Sequence, residues 1–152
     1  MALEIRAPRA QQIGLFGALE ANYISGGFRE LEVMGVFRVT VGVFNFHRPD
    51  DRREIEMTVD TGATYPVIPR TLAQELGIDP SGSLTLTLAD GCQVQRDVGW
   101  VGLDCDGRSG PCRAVFGKAD DVPLLGAVAL QVLGLEVDPV TETLRPATLY
   151  IL

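Results

Sequence analysis

From Phe37 the chain alternates. FRVTVGVFNF (37–46) is rich in β-branched and aromatic residues at period two, which predicts a strand. HRPDDRR is polar and charged and predicts a turn. EIEMTV then alternates again, with Ile55, Met57 and Val59 on one face, and runs into Asp60. Residues 37–59 are thus expected to form a hairpin. PRTLAQEL (69–76) predicts a short helix, with Pro69 at a tolerated first-turn position and Gly77 as its stop.

SLTLTLADGCQVQ alternates at Leu84, Leu86 and Leu88, and Asp90-Gly91 is a strong hairpin signal. VGWVGLDCDGRSGPCRAVFG predicts two further strands around a Gly-rich turn. VPLLG (122–126) is apolar, and AVALQVL predicts a second helix stopped by Gly134. LEVDPVTETL predicts strand, turn and strand, and the β-prone TLYIL ends the chain. The sum is an all-β fold with two short helices. A weak internal echo, PVIPRTLAQELGIDP against PLLGAVALQVLGLEVDP, suggests pseudo-twofold symmetry.

Residues 1–33 differ. Ile13, Phe16 and Leu19 could share a helix face, but Gly14 and Gly17 weaken it, and Ser25-Gly26-Gly27 breaks the run. This segment is expected to be a poorly specified arm, with Met34 a candidate natural start. The domain proper is placed at 34–152. No secretion signal and no apolar run of membrane-spanning length is visible, so a cytoplasmic protein without a membrane partner is expected.

The chain has 152 residues, 46% of them hydrophobic, which suits one domain with a sizeable core. The net charge of −7 argues against a nucleic-acid partner, which would require a basic stripe. Cys92, Cys105 and Cys112 form no CxxC pair, and the lone His47 completes no zinc spacing, so no metal is expected. Three reduced thiols fit a reducing compartment. A disulfide between Cys105 and Cys112, which flank the DGRSGP turn, is left open.

The chemistry concentrates in MTVDTGATYPVIP (57–69). It places a carboxylate between two apolar runs, followed by a hydroxyl, a glycine and an alanine. This stretch resembles the active-site loop of clan AA aspartic proteases, the pepsin and retropepsin family: apolar-apolar-Asp-Thr/Ser-Gly-Ala/Ser. The family's second marker, an apolar-apolar-Gly run before a helix, is matched by Leu124-Leu125-Gly126. LTLADGCQVQ falls where such proteases carry the flap hairpin. The resemblance covers 35–152 and is nearest to single-domain retropepsin-like proteins, bacterial ones included.

It implies a closed β-barrel with one lobe per chain, acting as an aspartic endopeptidase without cofactor or metal. Asp60 would supply one carboxylate. Thr61 would orient it through the partner loop, and Gly62 and Ala63 would let substrate backbone approach. Metal-free peptide hydrolysis needs a base to activate water and an acid to polarise the carbonyl, and two close carboxyls serve because they cannot both ionise. This chain has one DTG. The other acids lie in turns or polar loops, so the second carboxylate is expected from a homodimer mate, Asp60 facing Asp60 on a twofold axis. TLYIL would join the subunits through a shared sheet.

Substrate contacts are expected from Thr64, Tyr65, the hairpin tip Ala89-Asp90-Gly91, and Leu124, Leu125 and Gly126. Asp90 departs from the glycine-rich, apolar tips of retroviral members. It would either disfavour acidic peptides or point to solvent. An Arg after the apolar-apolar-Gly run and its Asp partner are both replaced, by Ala127 and Thr64. His47 and the 50–53 charges are expected at the surface, and Trp100 in the core or an interface. The rival reading is a catalytically silent dimerisation or peptide-binding module with the same fold. A phosphotransferase using Asp60 would need parallel βα units and a phosphate loop, and neither is present.

Overall fold

The computed structural model describes residues 37–151. The expected arm at 1–33, the candidate start at Met34 and the last residue of TLYIL lie outside them. Nine strands and two helices follow in chain order: β1 (Phe37–Asn45), β2 (Arg48–Val59), β3 (Val67–Pro69), α1 (Arg70–Glu75), β4 (Gly82–Thr87) and β5 (Gln93–Cys105). Then come β6 (Arg108–Gly117), β7 (Leu124–Leu125), α2 (Ala127–Leu133), β8 (Leu135–Asp138) and β9 (Thr143–Pro146).

Seven strands form one sheet in the order β1-β2-β7-β3-β6-β5-β4. β1 also pairs with β5 at Gly42–Asp104, Val43–Leu103 and Phe44–Gly102, which closes the sheet on itself. The closing contacts are short: β2 meets β7 only at Thr58 and Val59, and β6 meets β3 only at Val115–Gly117, so the barrel closes at its waist while the outer parts of the β1–β2 and β5–β6 ribbons extend beyond it. Inward positions of β1, β2, β5 and β6 supply the core, including Val41, Val43, Met57, Val59, Val101, Leu103, Ala114 and Phe116. Ile68, Leu72, Leu76, Leu125, Leu130 and Leu133 from β3, β7 and the helices complete it.

The internal echo in the sequence has a structural counterpart. β2 runs parallel to β7, and β6 runs parallel to β3. β3 and β7 meet antiparallel at Val67–Leu124, so each strand–loop–strand–helix unit lends a strand to the other. Both helices end at a left-handed glycine, Gly77 (φ 71°) and Gly134 (φ 67°), a conformation that carries no Cβ penalty for glycine. Both ends are capped by an arginine from a hairpin. Arg48 donates to Leu76 O at 2.9 Å, and Arg108 donates to Gly134 O at 3.1 Å. A cation is favourable at these carbonyl-rich ends.

Three expectations need correction, and one open alternative, the Cys105–Cys112 disulfide, closes. HRPDDRR is not a turn: only Phe46 and His47 turn, and β2 begins at Arg48. The charged residues project from a ribbon whose side chains reach water and pair with other elements, as Arg53 does with Glu75 at 3.0 Å, so polarity there does not oppose a strand. The break expected between CQVQ and VGW does not occur, because β5 is one 13-residue strand. Its glycines admit close neighbours: a β-carbon on Gly102 would meet the Phe44 ring at 2.3 Å. Trp100 is 57% exposed and outside the core, since it faces away from the barrel opposite Arg113. Cys112 pairs with Val101 and Cys105 with Arg108, four positions apart along β5. That is roughly 13 Å of strand, beyond disulfide reach, and all three cysteines are free thiols.

Residues 147–151 form no strand, and Leu149, Tyr150 and Ile151 are exposed. Among the described residues no helix is long and apolar enough to cross a membrane.

Candidate active site

Asp60 follows the last residue of β2, at the point where the strand leaves the barrel. Val59 and Met57 are fully buried and anchor the strand from below. β7 continues the support. Thr58 N–H donates to Pro123 O at 3.0 Å, and Asp60 N–H donates to Leu125 O at 3.1 Å. The acid is therefore held by its own main chain against a strand more than sixty residues away in sequence.

The loop 60–66 is tied on its other side by α2. Ala127 N–H donates to Ala63 O at 2.8 Å, and Val128 N–H donates to Thr64 O at 2.9 Å. The first-turn amides of a helix have no partner within the helix, so loop carbonyls satisfy them here. Gly126 makes this docking possible. A β-carbon there would lie 2.7 Å from Ala63 O, 2.9 Å from Tyr65 O and 3.0 Å from Thr64 O. The Leu-Leu-Gly run thus has a steric reason: two buried leucines fill the core, and the glycine lets three carbonyls pass over it.

Asp60 itself is half-buried. Its Oδ1 accepts the Gly62 amide at 2.9 Å, and Ala63 N–H donates to Asp60 O at 3.1 Å, closing a tight turn. Burial pushes the Asp60 carboxyl above its ordinary value, and the Gly62 hydrogen bond only partly offsets this. No neighbouring carboxylate of the described chain contributes to the rise. The arrangement provides one rigid carboxyl, inclined to keep a proton, at the edge of a loop open to solvent. Thr61, Gly62 and Thr64 are exposed beside it, and Ala63 and Tyr65 are half-buried. Among the described residues the Thr61 hydroxyl has no hydrogen-bond partner.

Leu124, Leu125 and Gly126 are buried beneath the loop and, within one chain, support it from below. Ala89, Asp90 and Gly91 form the tip of the β4–β5 hairpin, as expected. Leu88 N–H donates to Cys92 O at 2.8 Å, and Gly91 adopts φ 89°. The Asp90 carboxylate accepts the Cys92 amide at 2.9 Å, so the unexpected acid has a local task as a turn cap. No hydrogen bond among the described residues joins this tip to the Asp60 loop. Missed from sequence were the α2 amides that hold the loop carbonyls; an AV pair after Gly126 carries no signal for them. Among the described residues no three His, Cys, Asp or Glu side chains cluster as metal ligands do.

Residues 39–137 match the profile of a family described as aspartyl protease. Among solved structures, the solution structure of the simian foamy virus (mac) protease aligns at 16% identity and TM-score 0.46, covering 62% of this chain and 92% of that one. The EIAV protease complexed with the inhibitor HBY-793 aligns at 21% identity and TM-score 0.48, covering 76% and 93%. No curated protein matches the sequence. The closed, mostly-β barrel with two short helices is the architecture expected from the sequence, and the family profile spans it from β1 into β8. The chain belongs to the aspartyl protease family.

Proposed function

We propose that this protein is a homodimeric aspartic endopeptidase in which Asp60 and Asp60 of a second copy form the catalytic pair. One observation carries the proposal: a single, half-buried carboxyl, pushed above its ordinary value by burial, is fixed by β7 in a one-lobe barrel whose described residues bring no second acid to it. A lone acid of this kind can polarise a carbonyl but has no base beside it. A symmetry mate supplies the base, and two like charges so close share one proton. A water held between the carboxyls then attacks the peptide carbonyl, with one Asp60 accepting its proton and the other protonating the carbonyl oxygen. Thr61, exposed and without a hydrogen-bond partner among the described residues, hydrogen-bonds across the axis. The Ala89-Asp90-Gly91 tip closes over the peptide, and Gly62, Ala63, Thr64 and Tyr65 line its path. Leu124, Leu125 and Gly126 hold that floor in place.

The test combines Asp60→Asn with solution mass. The variant is expected to dimerise and to cleave no peptide, while wild type cleaves and is inhibited by a statine-type peptide mimic. Specific activity is expected to fall on dilution as the dimer dissociates. A wild-type monomer that cleaves, or cleavage surviving Asp60→Asn, overturns the proposal. A dimer that neither cleaves between pH 4 and 7 nor binds the mimic supports the silent module instead.

A further inference from the structure

The β4–β5 hairpin leaves the barrel at a definite point. β6 pairs with β5 from Cys105–Arg108 back to Val98–Val115. Beyond Val98 toward Gln93, β5 pairs with β4 alone, from Ser83–Asp97 to Thr87–Gln93. A two-stranded ribbon has little stability of its own, so what holds its base decides which part can move.

Two ion pairs grip that base at adjacent residues. Arg96 Nε meets Asp121 Oδ2 at 2.8 Å and its Nη2 meets Oδ1 at 3.2 Å, a two-pronged guanidinium–carboxylate contact. Asp97 meets Arg70, the first residue of α1, at 3.0 Å. Successive strand residues point to opposite faces, so the ribbon is held on both. The Arg96–Asp121 pair is the less exposed, at 12% and 27% against 47% and 32% for Arg70 and Asp97, so it holds the ribbon more firmly.

Asp121 is itself fixed. Its Oδ2 accepts Lys118 N–H at 2.8 Å, and its own N–H donates to Lys118 O at 2.9 Å. Two residues later Pro123 O accepts the Thr58 amide, next to the strand end that carries Asp60. The ribbon base and the floor under Asp60 are thus built on one short segment.

We propose that Arg96 is a positioning residue. Its pair with Asp121 clamps the hairpin base to the segment feeding β7, confines hairpin motion to residues 85–95, and sets the tip's resting place. This rests on the endopeptidase reading for its effect on catalysis, but not for the clamp itself.

Hydrogen exchange of the full chain, wild type against Arg96→Gln and Asp121→Asn, tests the clamp without needing activity. Amides of 82–84 and 96–98 are expected to lose protection in both variants, while β1 and β2 keep theirs. In peptide cleavage KM is expected to rise about three- to tenfold with kcat changed much less. Arg96→Lys should not restore KM, because a point charge cannot replace the fork. The exchanged pair Arg96→Asp with Asp121→Arg should restore part of it. Unchanged exchange at 82–84 and 96–98, or loss of protection spread evenly over the barrel, overturns the proposal. Local exchange as expected in a wild type that cleaves nothing leaves the clamp standing and removes the endopeptidase reading.

Discussion

Gly126 passes beneath Ala63 so closely that a β-carbon on it would sit 2.7 Å from the Ala63 carbonyl oxygen. The other two carbonyls above it belong to Thr64 and Tyr65, which leaves a side chain no direction of escape. Gly126→Ala must therefore push the whole loop off β7 and α2. A loss of about 1–3 kcal/mol is expected from overpacking of this kind, read by denaturant unfolding. A variant as stable as wild type would show that the loop is not seated as described.

Leu125 is fully buried between the two units of the barrel, and its carbonyl accepts the Asp60 amide. Leu125→Ala removes core contacts and leaves a cavity directly under the acid. About 2–5 kcal/mol of stability should be lost. Because the cavity lies under the Asp60 loop, the endopeptidase reading expects catalytic efficiency to fall even at temperatures where the variant is fully folded.

Burial raises the carboxyl of Asp60 in the folded state, so the folded chain holds this proton more tightly than the unfolded chain. Between the ordinary 3.8 and the raised value the unfolded state binds fewer protons, and stability falls as pH rises. Asp60→Asn removes that penalty while its side-chain oxygen can still accept the Gly62 amide. The variant should melt higher than wild type at neutral pH, with the difference vanishing below pH 3.8. A lower melting temperature at pH 7 would contradict this.

Asp121 has the opposite sign. Burial pushes it up, but hydrogen bonds from Arg96 and Lys118 outweigh burial and hold its carboxyl below 3.8. Its contribution is complete above 3.8 and is lost as pH falls through the depressed value. Asp121→Asn should lower the melting temperature at neutral pH and converge with wild type in strong acid.

Much of this was legible because it is local. Gly77 and Gly134 stop their helices within a few residues of the apolar pattern they end, and Asp90-Gly91 announces its turn by itself. DTGA and Leu-Leu-Gly could be named from sequence, but the steric need for Gly126 required the loop above it. HRPDDRR misled because charge marks a turn only when a strand there would be buried, and β2 extends past the core. Trp100 could be read only as core or interface, because alternation tells which residues share a face, not which face is inside; its exposure removes the core. The Arg96–Asp121 clamp joins residues 25 apart through a strand register that composition does not encode.

The thiols give a simple check on the register. Cys105 and Cys112 are buried on the inward face, and burial pushes the Cys112 thiol up to about 11, while Cys92 is exposed near the hairpin tip. A chromogenic disulfide reagent at pH 8 should titrate one thiol in the native protein and three after unfolding. Two or more fast-reacting native thiols would contradict the pairing of β5 with β6.

The contact between Thr58 and Pro123 also sets an order of events during synthesis. A chain leaving the ribosome presents DTGA early, yet the strand that holds it is sixty-five residues downstream. Long-range pairings of this kind form late in folding. An unfinished chain therefore carries the acid without the scaffold that makes it a site. On the endopeptidase reading, proteolytic competence is postponed until the barrel is nearly complete, which shields neighbouring nascent chains from it.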